Sequence, residues 1–540
     1  MTKAGLLLTT ALLALPAGVA RADDATIKIS KSSKPAPHLT ADEATSDGSV
    51  TAGGQHIDYT ATAGTLVVHP KGWDDAVKPD ADKLDDSTPS AEASMFYVAY
   101  IQKNAKPETR PITFLFNGGP GSASVWLHMG AFGPRRVVTL DHEHGPAAPY
   151  RLVNNDESLL DASDLVFVDA PGTGFSRIAG KDKEKSFYGI DQDAHAFASF
   201  ISSFLSKYGR WNSPKYLFGE SYGTTRSAVL VNELEQADSI DFNGVMLLSQ
   251  ILVFDASVDG PSANPGIDLP YVAGLPTYAA TAWYHHKLGP NPPDLNTLLG
   301  TVETFALGEY SAALQQGALL DDDQRDRIAA KMSSYTGLPV EYLKKANLRV
   351  DGGMFEKTLL GGSDTTTGRF DTRFSGPTMD PLSKEAEYDP QSAAISSAYV
   401  SGFNDYVRRQ LGYGMGKTYL PDIEIDNWDM KHQQPGNSQP STQSANVLPD
   451  LAAAMTYNPN LKVQLNQGFY DLATPYFEGE YEMRHLPMAK SLQANIEFRH
   501  YQSGHMVYAN QDSLKQLHDN AADFIRRTDG TRPGDAAPAK

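Results

Sequence analysis

The sequence of 540 residues contains no cysteine. This absence excludes disulfide bonds, cysteine nucleophiles, thiolate metal sites and lipid attachment through an N-terminal cysteine. The sequence also has fewer basic residues than acidic ones. Its 46 Lys and Arg and 65 Asp and Glu give a formal net charge of -19 at pH 7. This balance argues against a nucleic acid partner, which calls for basic patches. Beyond residue 22 no uninterrupted run approaches the ~20 apolar residues of a membrane helix, so we expect no membrane span in the mature protein.

Residues 1–22 have the composition of a signal peptide. Lys3 supplies a positive start, a mostly apolar run follows over Ala4–Leu15, and residues 20–22 form a small-x-small cleavage site. The alternatives are a buried N-terminal helix or a membrane anchor, but the run is too short to span a bilayer. We therefore expect export, to the periplasm or to the extracellular space.

The rest of the chain divides by composition into five segments. They are a leader and N-terminal hairpin (23–90), a first core part (91–254), an inserted cap (255–428), a second core part (429–528) and a polar tail (529–540). The hairpin is predicted from alternating residues over Gly48–His69, with a turn at Gly53-Gly54. Both core parts alternate short apolar strands with helical patterns, one of which predicts a helix over Ser186–Tyr208, whereas the cap shows mainly helical ones. This order predicts the α/β class, with a mostly parallel central sheet and helices on both faces.

A serine between two glycines follows one of the predicted strands. The segment Gly219-Glu220-Ser221-Tyr222-Gly223 lies between the strand Lys215–Phe218 and a predicted helix. A serine hydroxyl is a weak nucleophile that needs a base, and the base needs an orienting carboxylate. The Gly-x-Ser-x-Gly pattern alone is weak, because short patterns of this kind recur by chance. Its strand–turn–helix context is that of a nucleophile elbow, which predicts the α/β-hydrolase fold with Ser221 as nucleophile.

Asp471 and His505 each follow one of the last two predicted strands, Leu461–Leu465 and Ile496–Tyr501. Taken alone, Asp471 could equally be a solvated aspartate in a turn, and His505 could equally be a surface histidine, rather than catalytic residues. The order serine, aspartate, histidine is nevertheless that of α/β-hydrolases, and the carboxyl ends of parallel strands meet at one edge of a sheet. We therefore predict a catalytic triad of Ser221, Asp471 and His505.

Acyl transfer also requires donors for the oxyanion that forms during the reaction. The N–H of Tyr222, which follows the nucleophile, is the expected first donor. The N–H of Gly119, in the Asn117–Gly121 segment after an early strand, is the expected second, although Gly118-Gly119 also fits an ordinary Gly-Pro turn. This chemistry needs no cofactor, and we find no metal-ligand spacing in the sequence.

Four motifs together resemble the serine carboxypeptidase family. They are Asn117–Ser124, Gly219–Gly223, Gly468–Asp471 with Thr474-Pro475, and Gly504–Val507. A further stretch, Val168–Ser176, is similar to another part of that family, and the likeness covers roughly residues 95–250 and 455–527. Members of the family remove single amino acids from peptide C-termini. The resemblance thus implies a peptide substrate with a free C-terminus.

The resemblance also implies a set of substrate-binding residues. The set comprises Asn117, Gly118, Glu220 and Met506. Within it, Asn117 and Glu220 are expected to hold the terminal carboxylate. A carboxyl group beside a carboxylate has a raised pKa, and only its neutral form donates a hydrogen bond, so acid pH is expected to favour activity. The alternative for Glu220 is a structural carboxylate packed under the elbow.

The sequence departs from the family at several positions. Leu115 stands where the family often has Trp, Ala131 stands where it has a Glu, and the usual disulfides are absent. Part of the carboxylate-recognition network is thus missing. Two further hypotheses remain open: an esterase or acyltransferase that uses the same triad, and a non-enzymatic binding protein on a hydrolase fold.

Overall fold

The computed structural model describes residues 38–73, 90–361, 364–441 and 444–530. The predicted signal peptide lies outside these residues, as do most of the predicted leader and most of the polar tail. The strands are β1 (Glu43–Ala52), β2 (Gln55–Val68), β3 (Glu92–Gln102), β4 (Ile112–Phe116), β5 (Arg135–Val137), β6 (Leu152–Asn154), β7 (Asp164–Val168), β8 (Arg177–Ala179), β9 (Lys215–Glu220), β10 (Gly244–Leu248), β11 (Thr365–Thr367), β12 (Ser375–Pro377), β13 (Lys462–Gly468) and β14 (Ile496–Tyr501). The helices are α1 (Lys183–Phe187), α2 (Ile190–Tyr208), α3 (Tyr222–Gln236), α4 (Leu269–Tyr284), α5 (Leu295–Phe305), α6 (Ser311–Gln315), α7 (Asp322–Thr336), α8 (Val340–Lys345), α9 (Gly352–Leu359), α10 (Pro390–Arg409), α11 (Leu448–Tyr457), α12 (Tyr476–Arg484) and α13 (Gln511–Thr528).

One large sheet organises the chain. Its strand order is β1-β2-β3-β7-β4-β9-β10-β13-β14, with β8 paired to β3. The six strands from β7 to β14 run parallel, whereas β1, β2 and β3 pair antiparallel with their neighbours. The crossovers around β4 and β7 place the strands in the order of an α/β-hydrolase. The predicted fold class, a mostly parallel sheet with helices around it, is confirmed.

The central strands are apolar on both faces because helices cover both faces. Every residue of β4, β7 and β10 is buried. Side chains of α2, α3 and α11 pack on one face of the sheet, and side chains of α13 and α10 contribute to the core on the other face. Parallel strands in such a sheet read as continuous apolar runs rather than alternating ones, which is why these strands are recognisable in the sequence.

Two local features differ from the sequence prediction. Strand β1 begins at Glu43, within the segment predicted as a leader, and pairs with β2 around the turn at Gly53-Gly54. The helix predicted over residues 186–208 is two helices, α1 and α2. The break arises because the chain that immediately follows the cap pairs with the main chain there: the N–H of Asp429 donates to Tyr188 O at 3.2 Å, and the N–H of Ile190 donates to Asp429 O at 3.1 Å.

The segment between β10 and α11 lies at the carboxyl ends of the parallel strands. It contains helices α4 to α10 and the two-stranded sheet of β11 and β12. Helices α4 to α9 share a hydrophobic core of their own, and Leu472, from the loop after β13, is buried in it. The cap therefore packs directly against one of the loops that carry predicted site residues. No helix in the described ranges is long and apolar enough to cross a membrane.

Candidate active site

Ser221 occupies the sharp turn between β9 and α3. Its backbone has φ 61° and ψ -131°, a region that a non-glycine residue rarely adopts without support from its surroundings. The N–H of Ser221 donates to Leu248 O at 2.9 Å, which ties the turn to the neighbouring strand. A Cβ on Gly219 would lie 2.2 Å from Gly223 O, so the first glycine of the pattern is required by close approach.

Asp471 and His505 form a buried pair at the ends of β13 and β14. The two side chains meet at 2.8 Å between His505 Nδ1 and Asp471 Oδ2. Asp471 also accepts hydrogen bonds from the N–H groups of Ala473 (2.8 Å) and Thr474 (3.0 Å), and from the Thr474 hydroxyl (2.8 Å). The carboxylate is thus fixed by backbone and side-chain donors. Because Nδ1 is engaged, Nε2 is the nitrogen left for proton transfer.

The surroundings of His505 act on its pKa in opposite directions. Burial lowers the pKa, whereas the charge and hydrogen bond of Asp471 and the charge of Glu220 raise it. The net shift is upward from the ordinary value of 6.5. The imidazolium that forms when a base accepts a proton is therefore stabilised mainly by Asp471.

A cavity of about 580 Å³ opens at the carboxyl ends of these strands. Eight of the nine residues predicted from the sequence line it: Asn117, Gly118, Gly119, Glu220, Ser221, Tyr222, His505 and Met506. The ninth, Asp471, is buried and hydrogen-bonded to His505. Ser221 and His505 share the cavity, but among the described contacts no hydrogen bond joins the serine hydroxyl to the imidazole. Their pairing belongs to the proposal below.

Glu220 is a buried carboxyl group next to the serine. Its Oε2 accepts a hydrogen bond from Asn117 Nδ2 at 2.7 Å and another from the Tyr508 hydroxyl at 2.9 Å. Burial raises the pKa of Glu220 to about 7, although the charge of His505 and the two hydrogen bonds oppose the rise. A carboxyl group with such a pKa is largely neutral in mildly acid solution and can then donate a hydrogen bond.

The loop that begins at Asn117 is held against the elbow. Arg226, fully buried on α3 and paired with Asp193 at 2.6 Å, donates from Nη1 to Asn117 O at 2.7 Å. A Cβ on Gly118 would lie 2.4 Å from the backbone nitrogen of Tyr222. The loop and the first turn of α3 are therefore in direct backbone contact, which brings the main chain of Gly119 and Tyr222 to one wall of the cavity.

Several cavity residues and supports were missed in the sequence. Tyr508 follows His505 by three residues, and the motif around His505 could have directed attention to it. The cap contributes Asp259, Arg369 and Phe370 to the cavity. The Phe370 ring lies 4.9 Å from that of His505. No local pattern marks these cap residues, because their position depends on contacts with loops far along the chain.

The departures from the family pattern can be placed in the structure. Ala131 is fully buried in the π-helical turn Leu127–Phe132, and a Cβ on its neighbour Gly130 would lie 2.6 Å from the Tyr508 ring. Alanine has no side-chain donor to offer Glu220. The side chains that donate to Glu220 in the described contacts are those of Asn117 and Tyr508.

One group of side chains within the described ranges has the spacing of metal ligands: Glu157, His518 and Asp519. His518 Nε2 is also 3.1 Å from Asp161 Oδ1. None of these residues lines the cavity.

Comparison with known proteins agrees with this geometry. The sequence profile described as "Serine carboxypeptidase" matches residues 84–274. Serine carboxypeptidase S10 family member 1 of Dictyostelium discoideum is 32% identical over 138 residues, which are 25% of this chain and 30% of that protein. The pheromone-processing carboxypeptidase KEX1 of Yarrowia lipolytica is 28% identical over 163 residues, or 30% of this chain and 25% of that protein. The chain therefore spans less than a third of the length of these two relatives.

Among solved structures, the prohormone-processing carboxypeptidase Kex1(delta)p of Saccharomyces cerevisiae aligns with a TM-score of 0.48 and 16% identity, over 87% of this chain and 92% of that one. The matched sequence region, 84–274, includes the Asn117 loop, Ser221 and Glu220. Over this region, the chain is similar to the serine carboxypeptidase family.

Proposed function

We propose that this protein is a serine carboxypeptidase, which hydrolyses C-terminal residues from peptides through an acyl-enzyme. The observation that carries the proposal is the buried Glu220 with its two donors, Asn117 and Tyr508, in the same cavity as Ser221 and His505. A general hydrolase has no need of a buried, readily protonated carboxyl group beside its nucleophile. A site for a terminal carboxylate does need one.

The chemical steps use the triad. Ser221 attacks the scissile carbonyl while His505 accepts its proton, and Asp471 orients His505 and stabilises the imidazolium. The N–H groups of Gly119 and Tyr222 hold the oxyanion of the tetrahedral intermediate. His505 then gives the proton to the leaving amino acid. Water attacks the acyl-enzyme in a second round, with His505 again as base, and restores the Ser221 hydroxyl.

Recognition of the substrate end falls to a second set of groups. Neutral Glu220 donates to the terminal carboxylate, and the Asn117 side chain contributes to the same site. Gly118 and Met506 form adjoining parts of the wall. Deprotonation of Glu220 would place two negative charges side by side, so binding of the carboxylate is expected to weaken as the pH rises past about 7.

The test compares a blocked dipeptide with its C-terminal amide at pH 5. The proposal expects the free acid to be cleaved with a kcat/KM at least tenfold above that of the amide. Ser221→Ala should abolish both activities. Equal rates on acid and amide would contradict recognition of the carboxylate while leaving the triad intact.

A second candidate, an esterase or acyltransferase on the same triad, is favoured by one observation. The family glutamate of the carboxylate network is replaced by the buried Ala131. Here the expected pattern is the reverse: neutral ester substrates would be turned over faster than the free-acid peptide. The same protein assayed on both substrates separates the two functions.

A non-enzymatic binding protein is the remaining hypothesis. Labelling with a fluorophosphonate reports on the serine independently of any peptide substrate. We expect stoichiometric labelling that is lost in Ser221→Ala. A folded protein that resists the reagent would favour the binding protein. We further propose export after removal of residues 1–22, which the mass of the mature N-terminus would test.

A further inference from the structure

A five-residue segment of the cap, Arg369–Arg373, passes between the loops that carry Asp471 and His505. We call it the clamp. On one side, the N–H of Leu472 donates to Arg369 O at 3.0 Å and the N–H of Thr372 donates to Tyr470 O at 2.9 Å. These partners, Tyr470 and Leu472, flank Asp471 in the chain.

On its other side the clamp holds the histidine loop. The N–H of His505 donates to Phe370 O at 2.6 Å, and the N–H of Gly504 donates to Asp371 Oδ2 at 3.1 Å. A Cβ on Gly504 would lie 2.3 Å from Phe370 O, so the two chains are in backbone contact. The same short segment thus fixes the main chain on both members of the acid–base pair.

The clamp is itself anchored in the cap. Asp389 Oδ1 accepts from the N–H groups of Arg369 (2.7 Å) and Phe370 (3.0 Å), while its Oδ2 caps the start of α10. The Thr372 hydroxyl lies 2.6 Å from that of Thr281 on α4. Two cap helices therefore set the position of the segment.

Two side chains of the clamp bond the histidine loop: Arg373, which donates from Nη2 to Ser503 Oγ at 3.4 Å, and Asp371, which accepts from the N–H of Gly504. Asp371 is fully buried. Arg373 donates two hydrogen bonds to its carboxylate, from Nη2 to Oδ2 at 2.6 Å and from Nε to Oδ1 at 3.0 Å. Arg373 is braced in turn by Asp141, at 3.1 Å. Asp371 is not part of the cavity lining, so any effect it has on the reaction passes through the groups that it bonds, Gly504 and Arg373.

We propose that the clamp positions the catalytic acid–base pair, with Asp371 acting as a positioning residue for His505 through the backbone of Gly504. The proposal rests on the function proposed above, since it assigns His505 the role of base. It makes the cap a part of the catalytic framework rather than only a cover over the cavity. A histidine displaced by about 1 Å is enough to cost on the order of 10²-fold in rate.

The test is Asp371→Asn, assayed on the blocked dipeptide. All the groups around the Asp371 carboxylate donate hydrogen bonds to it. The side-chain nitrogen of asparagine cannot accept, so in the variant at least one of these hydrogen bonds is lost. We expect kcat to fall on the order of 10²-fold with KM within about twofold of the wild type, since the residue does not touch substrate.

The matched control is Asp164→Asn, which also removes a buried aspartate from an arginine pair. Asp164 contacts Arg210 at 2.5 Å and Arg110 at 3.0 Å, and it lies at the opposite, amino end of β7. We expect a similar loss of thermal stability with kcat unchanged. Equal kcat in Asp371→Asn and in the control, or an effect confined to KM, would overturn the proposal.

Two further measurements keep the proposal testable. If Asp371→Asn does not fold, Asp141→Ala is used instead, because Asp141 is partly exposed and its removal takes one partner from Arg373. We expect a several-fold loss of kcat in this variant. A wild-type kcat would overturn the proposal. The rate of fluorophosphonate labelling is followed in every variant, because it depends on His505 but not on peptide recognition. A slower labelling rate in Asp371→Asn supports the clamp even if no peptide is cleaved.

Discussion

At the scale of single residues, Glu220 and His505 influence each other. The charge of Glu220 raises the pKa of His505, and the charge of His505 lowers the pKa of Glu220. Protonation of Glu220 therefore removes one of the charges that hold a proton on the histidine. A neutral Glu220 thus makes the neutral, proton-accepting form of His505, which the proposed reaction requires, easier to reach than an ionised Glu220 does.

Glu220→Gln is expected to flatten the alkaline loss of peptidase activity. In the wild type, kcat/KM for a blocked dipeptide should fall between about pH 5 and 8, as Glu220 ionises with a pKa of about 7. Glutamine stays neutral over the whole range, so this loss should disappear from the variant. A dipeptide amide serves as control, since its binding has no carboxylate to repel. Superimposable wild-type and variant profiles would show that another group titrates.

Tyr508→Phe should keep the alkaline loss of peptidase activity but move it to higher pH. The Tyr508 hydroxyl donates to the Glu220 carboxylate at 2.9 Å, and this bond lowers the pKa of Glu220. Its removal raises that pKa further, so activity on free-acid peptides should persist to higher pH. Tyr399→Phe is the control, because Tyr399 is an equally buried neighbour whose hydroxyl makes no described bond to Glu220. An unchanged alkaline limb in Tyr508→Phe would contradict the assignment.

At the scale of elements, the site depends on how closely the Asn117 loop approaches α3. In Gly118→Ala the new Cβ would meet backbone nitrogen at 2.4 Å, and neither chain can yield without moving the Gly119 and Tyr222 N–H groups. We expect kcat to fall by about 10² to 10³, the usual effect of losing one oxyanion donor. KM for the blocked dipeptide should change less.

Gly300→Ala is the matched control for that substitution. Gly300 lies within α5, and a Cβ there meets nothing within 4 Å. Alanine should raise the free energy of unfolding by ~0.5–1 kcal/mol and leave kcat unchanged. A loss of activity in Gly300→Ala comparable to that in Gly118→Ala would mean that the loop contact is not the cause.

The sequence was sufficient for elements whose signals are local. Strands β4, β7 and β10 are buried on both faces, so each is a short apolar run, and the residues just after β4, β9, β13 and β14 are the ones expected at the site. The break between α1 and α2 was not predictable, because Asp429, far along the chain, causes it. The clamp was not predictable either, because its partners lie far along the chain and most of its hydrogen bonds to the two catalytic loops join main-chain groups, which leave no residue pattern.

At the scale of the molecule, buried carboxyl groups make stability depend on pH. Burial raises the pKa of Glu235 to about 7 and that of Glu482 to about 8, and it raises that of Glu478 as well. Between pH 4.5 and these values the folded state keeps protons that the unfolded state releases. The contribution of these three groups to stability is therefore greatest in acid and falls as the pH rises toward 8.

Glu235→Gln tests this at a position outside the cavity. We expect the free energy of unfolding, measured in urea, to decrease from pH 5 to pH 8 in both proteins. The decrease should be smaller in the variant, by on the order of 1–3 kcal/mol. Peptidase activity should be unchanged. Substitution of the exposed Glu108 by glutamine is the control, and an equal pH dependence in Glu235→Gln and in the wild type would exclude Glu235 as a contributor.

The cap also separates neighbouring strands of the sheet in the chain. Strand β10 pairs in register with β13, Gly244 opposite Lys462, yet the whole cap is synthesised between them. Closing so long a loop before any pairing energy is gained makes folding slow, and β10 remains an exposed sheet edge during that time. In the proposed mechanism, the nucleophile Ser221 is also synthesised long before its base, His505. On that mechanism, a nascent chain gains activity only after the last strand, β14, has docked beside β13.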